Sequence, residues 1–181
     1  KMDYPQPQGS DMLGRLGSHA LSQARQPPKL TLSEWANEHL MLSAEDASEP
    51  GKYSTSRAPY QRGILDAISN PLNGEVVIMS SAQAGKTLIA KAVIGYCIDQ
   101  DPAPMLIVQP TIEMAETFSK DRLAPMVRDT PALRGKIADP RSRDSGNTIL
   151  HKRFPGGHLT MVGANAPAGL ASRPIRVVLC D

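Results

Sequence analysis

The most readable chemistry in this sequence lies in Ser80-Ser81-Ala82-Gln83-Ala84-Gly85-Lys86-Thr87. Gly85 allows a backbone turn in which successive amides point at one phosphate, and a helix starting just after it adds the partial positive charge of its amino end. Lys86 then reaches the β- and γ-phosphates as a point charge, and the Thr87 hydroxyl ligates Mg²⁺. The usual form of this loop begins with glycine, where this chain has Ser80. The competing reading is an ordinary strand-to-helix turn that happens to contain Gly-Lys-Thr. A second feature argues against it. Arg176-Val177-Val178-Leu179-Cys180-Asp181 is an apolar run ending in an acid, and a parallel strand of that kind delivers a carboxylate to the edge of the sheet where phosphate loops lie. Asp181 would hold Mg²⁺ directly or through water. A third is Tyr60-Gln61: a carboxamide can pair with the Watson–Crick edge of adenine and a ring can stack on its face, which favours ATP over GTP. Tyr60 also fits the apolar face of its own helix, so a core role stays open.

These residues need a strand before the loop, a helix after it and a parallel strand carrying the acid. The sequence offers all three. Residues 75–79 form a β-branched apolar run after the turn signal Asn73-Gly74, which predicts a strand buried on both faces. Helix signals cover 86–99, a second buried strand 104–108, and helical material 111–127 with a break near Pro125. Residues 148–152 and 158–162 flank Pro155-Gly156-Gly157 as a hairpin, and 175–180 form a last strand. Upstream, Thr31-Leu32-Ser33-Glu34 has the capping-box form and predicts a short helix to about residue 41. Residues 43–56 read as a loop, and 58–69 as a second helix with Pro59 in its first turn. Residues 1–30, rich in Pro, Gln, Gly and Ser, read as a mobile arm with a possible partner-docking helix over 12–24. The alternation predicts an α/β fold, a mainly parallel sheet flanked by helices, and the loop at 80–87 makes the P-loop NTPase type the expected one.

Composition sets wide bounds. With 181 residues the chain is one domain's worth, and 40% hydrophobic with 21% charged residues exclude coiled coils and disordered acidic chains. A net charge of +2 neither identifies nor excludes a polyanion partner. Cys97 and Cys180 lie far apart inside apolar runs and read as buried reduced thiols, which points to a reducing compartment. No apolar run reaches the length of a membrane span, and the amino end lacks a secretory build. Starting at Lys1-Met2 and stopping at Asp181 after an apolar run, the sequence reads as a fragment.

Taken together, the stretch at 32–35, the helix with Tyr60-Gln61, the loop 80–87, residues 106–111, Lys152-Arg153-Phe154 and the strand ending in Asp181 resemble the large terminase subunits of tailed phages, specifically the lambda-type branch. The resemblance covers residues 32–181. It implies an additional-strand, helicase-like ATPase domain that drives double-stranded DNA into a procapsid. It implies ATP and Mg²⁺ as cofactors, Lys86 and Thr87 as phosphate and metal ligands, Asp181 as the Walker B acid, and Tyr60 with Gln61 at the adenine. The partners it implies are double-stranded DNA, the small terminase subunit and the portal of the procapsid, with a homo-oligomeric ring and no membrane. The place would be the host cytoplasm, with absence from the mature virion. On this reading residues 31–181 are the amino-terminal part of the packaging ATPase, cut after the Walker B acid and before a catalytic glutamate and a nuclease domain. Such a piece is expected to bind nucleotide weakly and not to hydrolyse it usefully.

Many terminases carry an arginine inside the loop, but here the neighbourhood is Ala82-Gln83, so Arg173 is the speculative arginine finger or, alternatively, a DNA contact or a structural group. Basic residues Lys120, Arg122, Arg128, Arg134, Lys136, Arg141, Arg143, Lys152 and Arg153 either line a DNA path or form a solvated surface with acids interspersed. A helicase-like translocase, a small-metabolite kinase and a non-catalytic assembly module with a vestigial loop are the alternatives.

Overall fold

The computed structural model describes residues 29–45, 47–137, 146–165 and 174–181. The proposed arm up to residue 28, Arg141, Arg143 and the candidate Arg173 lie outside them. Helix α1, Leu32–His39, starts as its capping box requires: the Thr31 hydroxyl accepts from the Glu34 amide at 3.3 Å, and the Glu34 carboxylate accepts from the Thr31 amide at 2.9 Å. It ends before residue 41, because Met41–Leu42 (β1) pairs antiparallel with Gly51–Lys52 (β2) inside the stretch expected to be a loop. Helix α2 is Tyr60–Ser69 and α3 is Lys86–Asp99. The second is apolar almost all round and is accordingly buried from residue 91 to 98.

The sheet has four strands in the order β4-β5-β3-β6, where β3 is Pro104–Gln109, β4 His151–Phe154, β5 Gly157–Gly163 and β6 Val177–Cys180. β3 lies parallel to both β5 and β6, and β4 joins β5 as the expected hairpin. This is a mostly parallel sheet flanked by helices. Between β3 and β4 the chain runs through α4, Ile112–Thr117, a π-helical turn Phe118–Leu123 and α5, Ala124–Asp129. Pro125 does not break that run. It lies two residues after the π-helical turn, at the second position of α5.

One strand expectation and one thiol need correction. Residues 75–79 form no ladder, and Val77 and Met79 are 81% and 98% exposed. A β-branched run becomes a strand only with a partner, and the sheet ends at β6. A cavity of about 800 Å³ lies between Glu75, Val76, Val77 and Ile78 on one side and β6 on the other. β6 is therefore an edge strand with alternating exposure, and Cys180, expected as a buried thiol, is exposed while Cys97 is buried. Burial pushes the Cys97 thiol up to about 11, so it stays an inert thiol.

The core is centred on Trp35, fully buried, with Leu32, Leu40, Leu65, Ile94, Ile98, Met105 and Leu159. Its indole donates to Asp99 Oδ2 at 2.7 Å, and Lys136 pairs with the same carboxylate. Burial alone would raise the Asp99 carboxyl, but donation from Gln100, Lys136 and Trp35 outweighs it and holds the group below its usual value. The indole ring lies on Gly95 of α3: a Cβ there would come within 2.3 Å of Trp35 Cη2. Alanine in a helix gains about 1 kcal/mol over glycine, whereas overpacking a rigid core costs about 1–3 kcal/mol or more. Trp35 cannot retreat without losing its bond to Asp99. We expect Gly95→Ala to lower the unfolding free energy by about 1–2 kcal/mol net in urea titration; an unchanged or raised midpoint would show that the ring has room.

Candidate functional site

The loop before α3 has the backbone its sequence calls for. Gly85 adopts φ +80°, the left-handed region, and Gln83 reaches φ +60°. Gly85 caps α3, and no side chain caps that end, so the first amides of a 14-residue helix are left for an outside partner. Lys86 folds back on the loop, its ammonium donating to the Ser81 carbonyl at 3.3 Å.

Helix α2 grips this loop through two consecutive residues. Tyr60 donates from its hydroxyl to the Ala84 carbonyl at 3.1 Å. Its ring is 57% exposed, which removes the core alternative and leaves a face open to a ligand. Gln61 is 2% exposed, and a Cβ on Gly85 would lie 2.4 Å from its Nε2. Its Oε1 accepts from the Tyr53 hydroxyl at 2.8 Å. Gln61, expected at the adenine, lines this side of the loop with its oxygen accepting from Tyr53 and its nitrogen packed against the loop glycine.

A cavity of about 790 Å³ opens on this side of the loop, with Gln83, Gly85, Lys86, Thr87, Tyr60 and Gln61 among its walls. Tyr53, Arg57, Lys91 and Arg122 also face it, none of them singled out by the sequence as nucleotide-site residues. Their signals were weak. Tyr53 lies in a polar stretch read as a loop, and Lys91 sits amid an apolar helix where a buried cation is the anomaly. Lys86 also borders the second cavity, and Asp181 lies on that cavity's wall. So the structure brings Lys86 and Asp181 to one opening and Thr87 to the adjoining one. Ser80, Ser81, Ala82 and Ala84 form the loop without lining either.

Asp181 stands where a strand-ending acid should. Its amide donates to the Val108 carbonyl at 3.1 Å, which extends the parallel pairing of β6 with β3 by one residue. Beside it the buried Gln109, at the end of β3, donates from Nε2 to Asp181 Oδ2 at 3.4 Å. That contact was missed in the sequence, although a polar residue closing an apolar strand was its signal. A hydroxyl and a carboxylate are hard oxygen donors of the kind Mg²⁺ takes, so Thr87 and Asp181 fit that ion by chemistry. Among the described residues no cluster of three or more His, Cys, Asp or Glu side chains forms a metal cage.

The model of the ATPase domain of the phage terminase large subunit, gpA, matches residues 47–181. The chain belongs to this family. It is 32% identical over 156 residues to the terminase large subunit of Enterobacteria phage P21, a match covering 86% of this chain and 24% of that protein. It is also 32% identical over 131 residues to the terminase large subunit of Escherichia phage lambda, covering 72% of this chain and 20% of that protein. The chain thus spans about a quarter or less of the terminase subunits it matches. No solved structure matches it at a significant level.

Several of the basic residues considered for a DNA path in this terminase chain are paired. Lys120 meets Glu116 at 3.1 Å, Arg128 meets Glu45 at 2.9 Å and Asp129 at 2.8 Å, and Lys136 meets Asp99. Lys152 is buried, donates to the Thr148 carbonyl at 2.8 Å, and burial lowers its pKa. A phosphate would have to compete with those partners. No helix among the described residues is long and apolar enough to cross a membrane.

Gly85 gives the test of the site's shape. Replacing it with alanine forces a left-handed φ on a residue with a Cβ and drives that carbon into Gln61. We expect Gly85→Ala to lose about 1–3 kcal/mol of unfolding free energy, read by urea titration. Wild-type stability would contradict the loop geometry.

Proposed function

We propose that these residues form the nucleotide-binding part of an ATP-driven motor that moves double-stranded viral DNA into a procapsid. The observation that carries this reading is the uncapped amino end of α3, opened by the left-handed Gly85, with Lys86 set between one cavity and the other that holds Asp181. Family membership supports nucleotide use and a place in phage genome packaging. The finer assignments are ours: a P-loop NTPase fold with Ser80 to Thr87 as its phosphate loop, and a walled site for ATP rather than for a protein ligand.

In this reading the free amides at the start of α3 receive the β-phosphate, and Lys86 swings from the Ser81 carbonyl to neutralise the β- and γ-oxygens. Asp181 and Thr87 would hold Mg²⁺, which would supply positive charge to offset that of the phosphates. Gln109 holds the Asp181 carboxylate by one oxygen and leaves the other open. The exposed Tyr60 ring supplies a stacking face for the base. Arg57, paired with Glu49 at 2.7 Å, and Arg122 also line this cavity, and a triphosphate there would compete for the guanidinium of Arg57. Partners follow from the packaging role: duplex DNA, a small terminase subunit and a portal, with copies of the chain in a ring in the host cytoplasm.

The test is the affinity of the chain for ATP with Mg²⁺, measured by equilibrium titration beside Lys86→Ala. Loss of a charge-assisted phosphate contact costs on the order of 1.5–3 kcal/mol, so binding should weaken about tenfold or more. Equal affinity for both proteins would mean that the loop does not bind phosphate, and would favour an assembly module with a vestigial loop.

A further inference from the structure

Tyr53 lies just after β2, outside the loop and outside the Tyr60–Gln61 pair on α2, on the wall of the same cavity. Its backbone is fixed: the Tyr53 amide donates to the Leu40 carbonyl at 3.0 Å, beside the β1–β2 pairing. Its side chain is buried at 4% exposure and its hydroxyl donates to Gln61 Oε1. A carboxamide has two faces of opposite hydrogen-bonding character, and a buried one settles according to its partners. With Oε1 engaged by Tyr53, Nε2 is the atom turned to Gly85, in the space that a Cβ would need. The neighbouring Tyr60 holds Ala84. Residues 84 and 85, where the chain turns left-handed into α3, are therefore held from behind by 60 and 61, and 61 is itself held by 53.

We propose that Tyr53 is a positioning residue of the nucleotide site: its hydroxyl fixes the Gln61 carboxamide against Gly85, and that carboxamide keeps the phosphate loop in the turn that receives phosphate. This rests on the nucleotide reading above. Burial, with nearby Tyr60 adding to it, pushes the Tyr53 hydroxyl up to about 12, so it remains a donor throughout the ordinary pH range. Gln61 then acts on the loop, and the exposed Tyr60 offers a stacking face that any base can use.

The experiment uses the full chain with a fluorescent ATP analogue and Mg²⁺, comparing wild type, Tyr53→Phe, Gln61→Ala and the double variant. Tyr53→Phe keeps the ring and removes only the hydroxyl. Its loss should weaken binding about three- to tenfold, the worth of one buried hydrogen bond. Gln61→Ala should weaken it at least as much, and adding Tyr53→Phe to Gln61→Ala should change nothing further, because Tyr53 acts through Gln61. Tyr96→Phe is the stability control, removing a comparable hydroxyl that donates to the Leu30 carbonyl at 3.0 Å away from the loop; it should leave affinity unchanged. Wild-type affinity for Tyr53→Phe, or additive losses in the double variant, would overturn the proposal. If wild type shows no Lys86-dependent binding, the nucleotide reading is what has failed. Amide exchange at residues 84–87 without nucleotide then decides the positioning role alone. Faster exchange in Tyr53→Phe but not in Tyr96→Phe supports it, and equal exchange in all three overturns it.

Discussion

Gly85 is the constraint on which the rest of the site depends. At that residue the chain turns left-handed into a 14-residue helix while the Gln61 carboxamide occupies the place of a side chain. Only glycine satisfies both demands without strain. Because the turn is fixed from the α2 side, the amino end of α3 stays uncapped and Lys86 sits between two openings. Helix α3 itself is immobilised by Trp35, whose ring rests on Gly95 and whose indole is tied to Asp99 at the helix's far end. A rigid core element thus carries a chemically unsatisfied end, which is how a scaffold delivers a site.

The acid side is built differently. Asp181 is positioned by register: β6 runs parallel to β3, and the one extra backbone bond to Val108 brings its carboxylate beside Gln109. Two apolar strands that end together in polar residues place those residues at the carboxyl edge of the sheet, where ligands of open α/β sheets gather. The gap between β6 and residues 75–78 leaves that edge open.

Much of this was legible because the signals are local. The capping box at Thr31 and Glu34, the helix 86–99, the strand at 104–109, the hairpin around Gly156 and the acid at 181 each follow from a few neighbouring residues. What failed depended on distant partners. Residues 75–79 have strand composition but no neighbour to pair with, and Cys180 looked buried because it lies in an apolar run that turns out to be an edge strand. Nothing in the sequence showed that Tyr53, eight residues before Gln61 in a polar stretch, reaches the Gln61 oxygen. The π-helical turn just before Pro125 has no sequence signal that separates it from a break.

The central claim is that nucleotide sits on the loop held by α2 and α3. Hydrogen exchange of the full chain, with and without ATP and Mg²⁺, tests it most directly because it reports position as well as binding. The account predicts protection confined to residues 83–88 and the start of α2 around Tyr60, with the distant hairpin of β4 and β5 unaffected. Protection elsewhere, with the loop unchanged, would contradict it.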